Sequence, residues 1–390
     1  MGLVVKNDNV EGAGVHALIV GVSDYLNLPE AGEPSSDETW NLNKLSSPAL
    51  SALKIFDFIT TTGLRLPLKT VRLLLSPSPA EVQVEPRLAN ATPTRANRDA
   101  LSKLAAQWRK DASNNPEDMT FFYFAGHGTQ RGSEDSVLML EDFLTSDAPL
   151  NECFEMHNLK SGMAPTATRP NIALTQFYFV DACMDRNAKL RSFLNPAVPP
   201  VFGIELSGKD KRAAPLIYST VDGAFALGRS RKPSHFAEAL TMALNRGAEE
   251  PDEETGQWPV TATTIKNALD FYYTKNNLGT LVTMGSLVGS PVIRYLAGPP
   301  DIDISVEVQP DSLGLPCAIG VLDQNNAAVA GCNPGAKTKF GLTVQAGVYR
   351  VEVNAGRLTS NPFRSAPRPF MKPTLKPWTH NLASLLRPQN

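Results

Sequence analysis

The chain has 390 residues, a hydrophobic fraction of 42%, a charged fraction of 19% and a formal net charge of −2. That is more than one ordinary domain holds, with enough apolar material to bury a core. The near balance of acid and base supplies no general phosphate-binding surface, so no nucleic-acid partner is expected.

The chain opens MGLVVKNDNVEG, with Lys6 and Asp8 where a secretory signal needs an apolar core, and with Lys6 where a myristoylation signal needs Ser or Thr. No apolar run reaches the length of a membrane span. A cytoplasmic protein with no membrane partner is the expectation. Cys153, Cys183, Cys317 and Cys332 are too scattered for a disulfide framework or clustered metal sites, and they read as thiols.

His16 to Val22 is β-branched and apolar on both sides, the pattern of a strand buried on both faces of a parallel sheet. Leu45 to Ile59 carries apolar residues near helical spacing, with Gly63 as a stop. Val71 to Leu75 predicts a second strand, closed by Ser76-Pro77-Ser78-Pro79. A loop then runs to Thr94, which is placed to cap a helix over Ala96 to Lys110. Met119 to Ala125, with its Phe121-Phe122-Tyr123-Phe124 run, predicts an interior strand that stops at Gly126-His127-Gly128. Val137 to Leu140 reads as a short strand. Phe177 to Val180 repeats the aromatic pattern and ends at Asp181-Ala182-Cys183. Leu216 to Thr220 and Phe236 to Leu244 add a strand and a helix.

This alternation predicts an α/β fold with a mostly parallel central sheet flanked by helices. In such sheets ligands bind beyond the carboxyl ends of the strands, where both His127 and Cys183 fall. After Ile293 the pattern fades, and Gly298-Pro299-Pro300 marks a linker. Short alternating runs at Asp303 to Val308, Ala318 to Leu322, Gly341 to Val344 and Gly347 to Val353 predict a small β-sandwich. The expected division is therefore a main domain over 1–297, an all-β domain over 298–356 and a basic, proline-rich tail over 357–390 that contains no acidic residue.

A cysteine nucleophile needs a base within hydrogen-bond reach and backbone N–H donors for the oxyanion. The two strand ends can supply all of these: the Cys183 thiol, the His127 imidazole, and the amides of Gly128 and Cys183. Each half alone is weak, because a lone cysteine after a strand is usually a small hydrophobe. Together, with both motifs following aromatic strands, they point to a nucleophile–base pair. Cys153 reads as a loop or helix residue, and Cys317 and Cys332 as core of the β domain. His16, His157, His235 and His380 have no partner at metal-binding spacing.

Four segments in order carry a resemblance: Ala17-Leu-Ile-Val-Gly-Val-Ser-Asp-Tyr25, Pro93-Thr-Arg-Ala-Asn97, Phe122-Tyr-Phe-Ala-Gly-His-Gly-Thr-Gln130 and Phe179-Val-Asp-Ala-Cys183. The chain resembles the caspase and metacaspase family of cysteine peptidases over most of residues 15–295. His127 and Cys183 stand 56 positions apart, near the roughly 50 of caspases. The resemblance implies the three-layer caspase-like fold, a cysteine endopeptidase of the bacterial or metacaspase-like kind, and His127 and Cys183 as its dyad. It also implies that Asp181 lines the pocket for a basic P1 side chain, although a scaffold carboxylate is an equal reading of that residue. The family's second pocket acid is absent at Leu50-Ser51-Ala52. Asp24 is a candidate substitute, alternatively a turn or cap residue.

The family continues after its cysteine with patterns other than Met184-Asp185-Arg186. The stretch from Met184 to Arg212 occupies the place of the caspase intersubunit linker, and Arg186, Lys189, Arg191, Lys209, Lys211 and Arg212 are candidate cleavage points for activating a zymogen, by itself or by an upstream protease. The plain alternative is an exposed, solvated loop. Calcium is implied for many metacaspases by resemblance alone; no EF-hand-like spacing occurs here, and no cofactor or metal is expected. Protein or peptide substrates are the expected partners, with a regulatory protein as a further candidate. Two other readings stay open: a catalytically silent scaffold, and a protease preferring acidic or apolar P1 residues.

Overall fold

Two aromatic runs set the centre of the molecule. Phe121, Phe122, Tyr123 and Phe124 on one strand, and Phe177, Tyr178 and Phe179 on its neighbour, are all fully buried. Removing each such ring from water is worth roughly 2–3 kcal/mol. They face each other in register, Phe121 with Phe177, Phe122 with Tyr178 and Tyr123 with Phe179. Ring centroids of Phe121 and Phe179 lie 5.3 Å apart, and those of Phe122 and Tyr178 6.1 Å. A slip of one residue would turn every ring to the wrong face, so this packing locks the register of everything that follows.

The structure is a computed structural model and describes residues 2–90, 94–130, 136–148, 150–183, 187–191, 197–205, 210–220, 229–278, 283–284, 289–307, 317–329, 339–355, 358–359, 363–365 and 374–375. In chain order these form β1 (Leu3–Lys6), β2 (Val15–Val22), α1 (Pro48–Thr61), β3 (Leu68–Ser76), α2 (Pro79–Val84), α3 (Arg87–Asn90), α4 (Arg98–Asp111), β4 (Met119–Gly126), β5 (Gly128–Gln130), β6 (Ser136–Met139), β7 (Cys153–Glu155), α5 (Met156–Gly162), β8 (Thr175–Ala182), α6 (Ala188–Arg191), β9 (Leu216–Tyr218), α7 (His235–Arg246), β10 (Trp258–Thr261), α8 (Ala262–Lys275), β11 (Thr283–Met284) and β12 (Val292–Leu296).

The main sheet has the order β1-β3-β2-β4-β8-β9-β11. Its five central strands are parallel, and β1 and β11 close the two edges antiparallel. Period-2 alternation sends Leu18, Val20, Val22, Phe122 and Phe124 into one core with Leu101, Leu104 and Trp108 of α4. The opposite face receives α1, packed so closely that a Cβ on Gly21 would lie 2.7 Å from the Ala52 Cβ. Helices thus cover both faces, as a parallel sheet requires. The antiparallel β5-β6-β7 sheet continues from the end of β4.

Several elements differ from the sequence reading. The helix expected to start under Thr94 is α4, capped by Asn97, whose side chain accepts the Ala100 N–H at 2.9 Å. Residues read as loop between β3 and Thr94 include α2, opened by a capping box of Ser78 and Glu81. Glu81 also caps a second helix. Ser47, at the start of α1, makes no side-chain cap, and one Glu81 oxygen accepts the N–H groups of Ala49 and Leu50 at 3.1 and 3.2 Å. Cys153 opens a strand rather than a loop or helix, and β1, β10 and α8 were not foreseen. A four-residue edge strand leaves little pattern to read, whereas α8 does carry a start signal in Thr261, whose hydroxyl accepts the Thr264 N–H at 3.3 Å while the Thr264 hydroxyl accepts the Thr261 N–H at 2.9 Å.

By contact the chain divides into two compact units, Met1–Met242 with Tyr272–Arg294, and Ala243–Phe271 with Tyr295–Asn390. In the second unit β13 (Asp301–Glu307), β14 (Cys317–Leu322), β15 (Lys339–Gln345) and β16 (Tyr349–Ala355) follow the alternating runs. β13 pairs with β15, and β14 with β16, all antiparallel. Parts of the segment read as a tail are strands too: β17 (Leu358–Thr359) and β18 (Phe363–Ser365) add to β16, and β19 (Thr374–Leu375) to β13. Cys332 and His380 lie outside the described residues. No described helix is long and apolar enough to cross a membrane.

Candidate active site

β4 and β8 are adjacent and parallel, with Gly126 opposite Ala182. The next residue on each strand is His127 and Cys183. Parallel neighbours run about 4.8 Å apart, so the aromatic register brings the backbone at His127 and Cys183 to the same edge of the sheet. Both line one cleft of ≈ 490 Å³, together with Lys44, Ser47, Ser51, Asp181, Arg229 and Ser234.

Gly128 makes the close approach of the two loops tolerable. A Cβ there would lie 3.0 Å from the carbonyl oxygen of Cys183 and 3.0 Å from the Cβ of Ala182. The Met139 N–H donates to the His127 carbonyl at 3.0 Å, and Gly128 stands opposite Leu138. In an antiparallel ladder this makes Gly128 and Leu138 a non-hydrogen-bonded pair, so the Gly128 amide is not spent on β6.

His127 is fixed at three points. Its Nε2 lies 2.7 Å from the carbonyl oxygen of Asn43. A carbonyl only accepts, so Nε2 carries the hydrogen and Nδ1 holds the lone pair. Its backbone N–H donates to the Tyr25 hydroxyl at 2.7 Å, and the Tyr25 ring lies 4.9 Å from the imidazole, centroid to centroid. Burial pushes the His127 pKa down to about 4, against a smaller upward pull from the Asn43 carbonyl. The imidazole is therefore neutral at pH 7.

Asn43 sits in a loop with its own fastenings. Its side-chain amide donates to the carbonyls of Glu30 and Glu33 at 2.9 and 2.7 Å. Upstream, Trp40 and Asn41 both adopt φ of 57°, a left-handed turn that asparagine tolerates and a side chain as bulky as tryptophan rarely adopts. Beyond Cys183, Asn187 reaches back. Its side-chain amide donates to the Trp40 carbonyl at 3.1 Å, and its N–H donates to the Thr129 hydroxyl at 3.2 Å.

Asp181 is 6% exposed. Its Oδ2 accepts hydrogen bonds from the Tyr123 hydroxyl, at 3.0 Å, and from the Ser234 hydroxyl. Burial lifts its pKa to about 6, opposed by the hydroxyls of Ser234, Tyr123 and Ser219. Ser234 also accepts the Ala237 N–H at 3.0 Å, as the cap of α7. Asp24 is placed differently. It does not appear among the described residues that line the cleft, and its carboxylate is taken by Lys44 at 3.0 Å and Arg95 at 2.7 Å.

The candidate cleavage points fall into three groups. Arg186 and Lys209 lie outside the described residues. Lys189 and Arg191 belong to the short α6, with Lys189 ion-paired to Asp37, and Lys211 is exposed. Arg212 is buried, against the expectation of an accessible point: it pairs with Asp210 at 2.7 Å and donates to the Lys160 carbonyl and Gln176 Oε1 at 2.8 and 2.9 Å. Among the described residues no group of three or more His, Cys, Asp or Glu is placed to hold a metal ion.

Sequence reasoning missed Asn43, Tyr123, Ser234 and the role of Tyr25. A backbone carbonyl such as that of Asn43 leaves no residue-type signal. Tyr123 is hidden because an aromatic in an interior strand reads as core.

The fold and this cleft define a caspase-type α/β protein. The sequence model of the caspase domain matches residues 15–258, and the chain belongs to that family of cysteine peptidases. A protein of Sinorhizobium fredii (strain NBRC 101917 / NGR234), described as uncharacterized protein y4kE, is 26% identical over 189 residues, covering 47% of this chain. The chain spans about half the length of that relative, 52%. The crystal structure of caspase-1 from Spodoptera frugiperda matches with 14% identity and a TM-score of 0.42, covering 75% of this chain and 96% of that one.

Proposed function

We propose that the protein is a cysteine endopeptidase in which Cys183 is the nucleophile and His127 its acid–base partner. The observation that carries this is the pairing of His127 and Cys183 at the register-matched ends of β4 and β8, on one cleft. With Nε2 committed to Asn43, Nδ1 is the nitrogen that takes the thiol proton as the sulfur attacks the scissile carbonyl. The amides of Gly128 and Cys183 receive the oxyanion. His127 then protonates the leaving amine and activates the water that releases the acyl group.

In this reading Asp181 accepts a basic P1 side chain, arginine or lysine, and Asp24 holds Lys44 instead. An acidic P1 finds some support in Lys44 and Arg229, which also line the cleft. Both are already ion-paired, Lys44 to Asp24 and Glu30, and Arg229 to Glu238. Protein substrates in a reducing, cytoplasmic setting fit a reactive thiol. Activation by a cut between Arg186 and Lys211 belongs to the same proposal, and mass spectrometry of the active protein should find a new N-terminus there.

A fluorogenic peptide panel run on the wild type beside Cys183→Ala tests the reading. Cleavage after Arg or Lys that vanishes in the variant is expected. A wild type that cleaves no peptide and whose Cys183 resists an arginyl chloromethylketone would make it a silent scaffold.

A further inference from the structure

Asp181 is crowded with donors before any substrate arrives. A carboxylate offers about four acceptor positions, two on each oxygen. The Tyr123 and Ser234 hydroxyls both point to Oδ2, which fills that oxygen. The Ser219 hydroxyl, close by, is directed to the Ala182 carbonyl at 3.4 Å. What remains for a ligand is one carboxylate oxygen, Oδ1, rather than a two-pronged edge.

The two basic side chains need different things from such a site. A guanidinium is a planar fork whose strength against a carboxylate comes from two parallel bonds, one to each oxygen. Against one oxygen it makes a single bond and buries donors without partners, which is costly. An ammonium is a point charge with three donors spread tetrahedrally, and it needs one carboxylate oxygen plus scattered neutral oxygens. The cleft offers these. Ser47 lines it, is 6% exposed, and its hydroxyl finds no hydrogen-bond partner among the described residues.

Building on the basic-residue reading above, we propose that the cleft takes P1 lysine at least as well as P1 arginine, and that Tyr123 and Ser234 set this balance by occupying Oδ2 of Asp181. Tyr123 and Ser234 are thus specificity-determining residues, and Ser47 supplies a second oxygen to the ammonium.

The test is kcat/KM on matched peptides with Lys, Arg, Leu or Asp at P1, for the wild type and for Tyr123→Phe. The wild type should give a Lys/Arg ratio of one or more, and Tyr123→Phe, with a position on Oδ2 freed, should lower that ratio at least threefold. Ser234→Ala carries the same expectation and serves if the buried Tyr123→Phe protein does not fold. Arginine ahead of lysine in the wild type, or a ratio unmoved in a folded variant, overturns the proposal while leaving a basic pocket standing. Leu or Asp ahead of both basic residues overturns the basic-pocket reading, and this proposal with it.

Discussion

The Nε2–H of His127 is donated to the carbonyl oxygen of Asn43 at 2.7 Å, a bond between residues 84 positions apart in the chain. In the proposed nucleophile–base pair it would do the work that a carboxylate does in others, because it settles which ring nitrogen is left for the thiol. A neutral carbonyl leaves a developing imidazolium less stabilised than an acid would, and the buried ring accordingly holds its proton weakly.

Removing either half of the pair should abolish turnover. Cys183→Ala should show no measurable peptidase activity, and His127→Ala should lower kcat/KM by about 10²–10⁴-fold. The His127→Ala thiol should still be alkylated by iodoacetamide, only more slowly. Unchanged hydrolysis in either variant would remove the proposed mechanism.

Two pH limbs should separate by substrate. Asp181 loses its charge as pH falls through about 6, so kcat/KM for a Lys P1 peptide should drop there. A peptide with an uncharged P1 does not need that carboxylate, and its limb should follow His127, which gains a proton only near 4. Superimposable profiles for the two peptides would contradict the assignment of Asp181.

The same carboxyl predicts a gain of stability on neutralisation. Its folded pKa of about 6 stands above the ordinary 3.8, so between these values the native state holds a proton that the unfolded chain has shed. Stability from this group therefore declines as pH rises from about 4 to 6 and stays lower above, by on the order of 3 kcal/mol. Asp181→Asn should melt at a higher temperature than the wild type at pH 8 while losing Lys P1 hydrolysis.

Gly128→Ala should injure catalysis more than folding. The added Cβ meets the Cys183 carbonyl at 3.0 Å, which drives apart the two loops proposed to supply the oxyanion donors. A kcat reduced about 100-fold or more, with KM little changed, is expected from the loss of one donor. A kinetically silent substitution would take Gly128 out of the oxyanion site.

Tyr25→Phe should leave the His127 N–H buried without its acceptor, a loss of about 1–3 kcal/mol. Thermal melting should report that loss, and kcat should fall severalfold as the imidazole loosens. A melting temperature equal to that of the wild type would mean another group has taken the N–H.

The parts of this protein that sequence reveals are those whose cause is local. The runs at 119–126 and 175–182 are buried on both sides, so each residue type reports the sheet by itself, and the strand ends with His127 and Cys183 follow from them. Asn97 won the cap of α4 over Thr94 by geometry alone, since both residue types cap well. Asp24 looked like a pocket acid because nothing near it in sequence shows that Lys44 and Arg95 come to meet it. Glu81 escaped attention for the same reason, since the helix whose N-terminus it caps begins 33 positions earlier, at Pro48. Long-range pairings of single polar groups have no periodicity to betray them.

Asn187 holds the Trp40 carbonyl with one arm and the Thr129 hydroxyl with its backbone, four positions past the thiol and within the stretch where activating cuts are proposed. The turn at Trp40 and Asn41 leads directly into Asn43, the residue that aims the imidazole. Backbone scission beside Asn187 would thus slacken a tether whose far end is the histidine's own support, and the tuning of the proposed base would be mechanically joined to the integrity of the chain just beyond the proposed nucleophile.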